Sequence, residues 1–143
     1  MTWQRQEGRQ AAFFPLHDLT HYAVEHELGL RDGFYGLIAA GWDIAATQGK
    51  GARGPLPAET LVVEHLVGML DTERASGTEW TAADINRQAA LFANAGGRPA
   101  PRALTDAELA RVRARVRELL GRWAGLAPGG TIELDFDRPS PPV

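Results

Sequence analysis

The sequence predicts a mostly α, single-domain bundle of about five helices with a minor C-terminal β-strand. Three observations carry this. Apolar residues recur at 3- and 4-residue spacing in separate segments, which is helical periodicity. Two of those segments open on a Thr followed three residues later by Asp or Glu, the spacing of a capping box. The chain has 143 residues, 44% hydrophobic and 23% charged. That suits one ordinary globular domain with a real core.

Residues 1–12 are polar and carry little signal, although Thr2 to Gln6 can hold a short strand. The first helix is read over Pro15–Leu28. Pro15 suits a first helical position, where its missing N–H costs nothing, and Gly29 stands where a left-handed cap belongs. Leu16, Leu19, Ala23, Val24 and Leu28 recur at helical spacing. A second helix is expected over Gly33–Ala46, capped by Asp32 and apolar nearly all round, hence buried. Residues 47–57 hold three glycines and two prolines and form a loop. It lacks the Gly-Lys-Ser/Thr ending of a phosphate-binding loop.

The third helix runs from about Pro57 to Ala75 on Leu61, Val62, Leu66, Met69 and Leu70. The fourth starts at Thr81, with Asp84 completing a capping box, and ends before Gly96–Gly97. The fifth, over residues 105–124, is the clearest: Thr105 and Glu108 cap it, and Leu109, Val112, Val116, Leu119 and Trp123 form its stripe. Its arginines are expected on the solvated faces. In residues 131–136, Ile132, Leu134 and Phe136 alternate with polar residues, as in a half-buried strand that can pair with the N-terminus as a small hairpin. Residues 138–143 are read as a loose Pro-rich tail.

Several functions are excluded. With no cysteine there is no disulfide framework, thiol nucleophile or Cys-ligated metal. A net charge of −3 argues against a nucleic-acid binder. No apolar run approaches the roughly 18 residues of a membrane span. No secretory h-region opens the sequence, and a cytoplasmic location is expected.

There are four histidines, and three fall between His17 and His26. His17, His21 and Glu25 stand at i, i+4 and i+8. Four residues advance a helical side chain by only about 40°, so the three share one strip. Val24 and Leu28 share it too, so it faces the interior. Two imidazoles at i, i+4 present themselves to one metal. Glu25 either adds a carboxylate oxygen or fixes His21 as a hydrogen-bond acceptor. One helix does not easily supply three ligands, because i and i+8 are about 12 Å apart along the axis. A further ligand is therefore sought on another helix, with Glu64 and His65 the best candidates and Asp43 and Glu59 weaker. Asp18 follows His17 as the catalytic Glu does in His-Glu-x-x-His metallopeptidases, where the carboxylate activates metal-bound water. Imidazole and carboxylate without sulfur suit zinc, iron, manganese or nickel, with zinc the default. His26 is expected in solvent on the opposite side of the helix.

The stretch His17-Asp-Leu-Thr-His-Tyr-Ala-Val-Glu25, followed by Gly33-Phe-Tyr-Gly36 and Gly41-Trp42, resembles an uncharacterised bacterial family of short proteins, over roughly residues 15–46. The His-Asp-x-x-His core is also similar to the zinc motif of the ubiquinone-biosynthesis scaffold proteins. There a Glu follows the second His after eleven residues, but Gly33 occupies that position here, with Asp32 beside it. The likeness extends only to His17, Asp18 and His21 and implies no quinone role.

The reading is a small helical metal-binding protein, with metal-dependent hydrolysis as its chemistry. Asp18 or Glu25 would act as general base, and the substrate would be a small molecule. Two alternatives stand beside it: a structural metal site pinning helix 15–28 to helix 57–75, or a metal-free interaction module with a buried His/Glu network. A homo-oligomer through helix 105–124 or strand 131–136 fits any of them.

Overall fold

The computed structural model describes residues 14–42, 57–127 and 129–136. These residues form five helices: α1 (Phe14–Leu28), α2 (Phe34–Ala39), α3 (Ala58–Ser76), α4 (Ala82–Ala95) and α5 (Asp106–Ala124). None is long and apolar enough to cross a membrane.

The helix ends follow the sequence signals closely. Gly29 adopts φ 65°, and the Leu30 amide donates to the Glu25 carbonyl at 2.9 Å, closing α1 with a Schellman turn. Thr81 and Asp84 cap α4 reciprocally, as Thr105 and Glu108 cap α5. α3 ends at Gly77 in the left-handed region.

The second helix is shorter than expected. Instead of Gly33–Ala46, α2 spans six residues. Gly41 takes φ 97°, and the Trp42 and Gly41 amides donate to the Leu37 and Ile38 carbonyls, so a second Schellman turn stops the helix at Gly41. An apolar run does not continue a helix through a residue that favours the left-handed region. Asp32 does not cap α2; Gly33 stands at the N-cap without a side-chain bond. The Asp32 carbonyl instead accepts from the Thr60 hydroxyl on α3. Asp43 lies outside the described residues, as do residues 1–12 and the tail 138–143.

α1 is the central element, packed most extensively on α5 and then on α3, while α4 packs on α3. One core joins Val24 and Leu28 to Val63, Leu66, Val67 and Leu70 of α3, Ile85 of α4, and Leu109 and Val112 of α5. A smaller core gathers Leu19, Tyr22 and Ala23 around Leu119, with Leu134 and Phe136 against it.

No strand occurs among the described residues. In Thr131–Phe136 the expected alternation survives as burial, with Ile132, Leu134 and Phe136 half-buried and their neighbours exposed. The segment lies along the helices, anchored by the Tyr22 hydroxyl donating to the Asp135 carbonyl. Alternation reports which side chains are covered; a strand also needs a partner backbone.

Candidate metal centre

The strip predicted on α1 faces α3. Val24 and Leu28 are buried, and so are His21 and Glu25. α3 answers with Thr60, Glu64, Val67 and Asp71, a stripe at helical spacing. The antiparallel crossing sets His21 against Glu64 and His17 against Asp71.

His17 Nδ1 donates to Asp71 Oδ2 at 2.6 Å. His21 Nδ1 donates to Glu25 Oε2 at 3.1 Å. A carboxylate only accepts, so both Nδ1 atoms carry the proton. The remaining nitrogen of each ring is Nε2, and that of His21 also donates to Glu64 Oε2 at 3.3 Å, a proton that a bound cation must displace. His21 Nε2 lies 3.2 Å from Glu64 Oε1. One ligand atom from each of His17, His21 and Glu64 falls within 4.8 Å of the others. Ligands of a tetrahedral zinc lie about 3.3 Å apart, given bonds of about 2.0–2.1 Å. The His21–Glu64 pair already stands at that separation.

The second layer is equally ordered. The other oxygen of Glu25, Oε1, accepts from the Gly36 amide in the first turn of α2 at 3.0 Å. Glu25 therefore holds His21 and docks α2 together. α2 must approach closely to do this: a Cβ at Gly33 would fall 2.2 Å from the Glu25 carboxyl carbon. Asp71 Oδ1 accepts from Arg74 Nη2 at 2.8 Å, and Arg74 Nη1 donates to the Thr20 hydroxyl of α1 at 3.1 Å. Each histidine is thus fixed by a carboxylate that is itself fixed, an arrangement typical of metal-ligating imidazoles.

The charges are strongly coupled. Burial opposes protonation of His21, but hydrogen bonds to Glu25 and Glu64 outweigh it and push its pKa up to about 9. Burial would raise Glu64, yet the His21 hydrogen bond holds it below the usual carboxylate range. Asp71 likewise stays low against its burial because His17 and Arg74 bond to it. Asp18 differs: burial lifts it above its ordinary value, and the pull of His17 and His21 does not cancel that.

Of the residues singled out from sequence, His17, His21 and Glu64 come together, with Asp18 within electrostatic reach. Glu25 holds His21 in place, with both its oxygens hydrogen-bonded inside the core. His65 is not brought to the group. One residue beyond Glu64, it turns about 100° away and stacks on Phe92 of α4 at 4.4 Å. Glu59 is not part of the group either; burial first and then the nearby Asp32 raise its pKa. His26 is partly covered, stacking on Tyr22 at 5.4 Å. Asp71 and Arg74 were not singled out. The signal for Asp71 was its seven-residue offset from Glu64, which returns to the same face of α3.

No family model, curated protein or solved structure matches the chain.

Proposed function

We propose that this protein binds a divalent metal through His17 Nε2, His21 Nε2 and a Glu64 oxygen. The observation that carries this is the convergence of those three side chains within 4.8 Å while both Nδ1 atoms are held by carboxylates. The charge balance supports it. Asp18, Glu25, Glu64 and Asp71 surround the two imidazoles, and among the described residues Arg74 is the one guanidinium bonded to them. A divalent cation offsets that excess.

The metal favoured is zinc, since two His and one Glu form a common catalytic zinc set. Iron, manganese and nickel accept the same donors. The exposure gradient favours an open site over a closed structural one. His21 is 3% exposed but Glu64 is 48% exposed, so the cluster reaches solvent at its Glu64 edge. Three protein ligands with one accessible side leave a coordination position for a substrate. A bound cation there supplies Lewis-acid activation, and hydrolysis is the reaction class proposed. Asp18, beside both histidines and raised in pKa, is the group proposed to take up and return the proton. Glu25 and Asp71 keep the two rings in place.

The test is a calorimetric titration of the metal-free protein with zinc, repeated on His17→Ala, His21→Ala and Glu64→Ala. One site per chain, weakened more than about 100-fold by each substitution, is expected for direct ligands. Equal affinity in wild type and all three variants overturns the proposal.

A further inference from the structure

A second face of α3, mostly apolar but carrying Glu59 and His65, turns toward α4 and the loop after it. There a cavity of about 340 Å³ opens between α3, α4 and residues 98–104. This is at the lower end of the roughly 300–1,000 Å³ that small-molecule pockets span. Its walls are mostly apolar, with Leu28, Val62, Leu66, Met69 and Ile85 among them.

Most polar groups at this cavity are already engaged. The Asn86 side chain exchanges two hydrogen bonds with the Leu104 backbone, at 2.9 and 2.8 Å. Arg102 is spent on both oxygens of Glu108, at 3.0 and 2.9 Å. Glu59 also lines the cavity, with its pKa raised first by burial and then by the neighbouring Asp32. Two groups remain: His65 Nδ1 and Arg98 Nε are buried and have no hydrogen-bond partner. They meet at the same aromatic ring. His65 stacks on Phe92, and the Arg98 guanidinium carbon lies 5.4 Å from that ring's centre. Buried polar atoms without partners are uncommon in native proteins, and here two such groups border one apolar cavity.

We infer that this cavity is a binding site for a small carboxylic acid with an apolar body, its carboxylate taken by Arg98 and His65 and its tail by the Val62–Met69 wall. A guanidinium pairs with a carboxylate in geometry and charge. Apolar walls demand a chain or ring rather than a bare anion. The site is separate from the metal centre and does not depend on it: Glu64 and His65 are consecutive but face different neighbours.

The test uses octanoate, with octan-1-ol and acetate as controls, titrated by calorimetry into both the metal-free and the zinc-treated protein. Octanoate should bind saturably and equally in both, with octan-1-ol and acetate at least about ten-fold weaker, the loss expected for one charged hydrogen bond or for the buried tail. Arg98→Gln, an exchange near the surface, should bring octanoate down to the octan-1-ol level. Val62→Phe should fill the cavity and weaken octanoate and octan-1-ol together. In NMR spectra the His65 ring and Met69 methyl signals should shift on adding octanoate while those of His21 stay in place. Absence of octanoate binding, equal binding of octanoate and octan-1-ol, full affinity in Arg98→Gln, or shifts at His21 in place of His65 would each overturn the inference.

Discussion

The polar connections of α3 toward α5 and toward α1 are built on opposite logic. Toward α5, Glu73 meets one guanidinium. Arg113 Nε donates to Oε2 at 3.0 Å and Nη2 donates to Oε1; the same Nη2 also donates to the Trp80 carbonyl, and the Trp80 amide to Glu73. One carboxylate, one cation and the nearby backbone groups satisfy each other. Toward α1, carboxylates crowd two imidazoles with Arg74 as the accompanying guanidinium. The first connection balances its charge within the chain; the second holds more carboxylates than cations. Closed pairs fasten helices, whereas an arrangement with surplus negative charge and oriented lone pairs fits a cation.

The largest expected effect lies in the second connection. Glu25→Ala should lower the unfolding free energy by about 3 kcal/mol, because it strips a partner from buried His21 and releases the α2 amide; denaturant unfolding measures it. A loss under 0.5 kcal/mol would mean that Glu25 does not hold the site. Glu73→Ala should come next, at about 2 kcal/mol through the unpaired Arg113, with zinc affinity unchanged. Asp71→Asn should do the reverse. Stability should change little, but zinc should bind about 10–100-fold more weakly because His17 loses its charged acceptor. If the two variants behave alike, the distinction between the connections fails.

pH sharpens the same contrast. In the metal-free protein His21 keeps its proton up to about pH 9. The folded pKa is raised, so its stabilisation is fully present below about pH 6.5, the unfolded value. It is lost as pH rises through 9. A metal must displace that proton, so zinc affinity should climb about ten-fold per pH unit across this window. Flat affinity in a chelator-buffered titration would place the metal elsewhere. The smallest effect is at Gly33→Ala, about 1 kcal/mol, as the buried Glu25 shifts to admit a Cβ.

How much of this was legible in the sequence depended on range. Helix ends were legible because their signals are local: Thr81 with Asp84, Thr105 with Glu108, and Gly29 each lie within one turn of what they cap. The truncation of α2 was missed because its apolar run outweighed Gly41. The imidazole pair could be read from i, i+4 spacing. Glu64 stood among four candidates for the opposing ligand, and spacing on α1 says nothing about which turn of α3 lies opposite. Asp71 is 54 residues from His17, and only the antiparallel crossing joins them. The arginines of α5 show the same limit. Arg111, Arg117 and Arg122 are exposed, as amphipathicity implies, but Arg113 is drawn inward by a carboxylate on α3.

The central claim is that His17, His21 and Glu64 bind one metal. Anomalous diffraction at the zinc edge from zinc-soaked crystals tests it most directly. The account predicts one strong peak per chain, about 2.0–2.1 Å from both Nε2 atoms and about 2.0–2.2 Å from a Glu64 oxygen. No peak there, or a peak on Glu59, His65 or His26 instead, would contradict it.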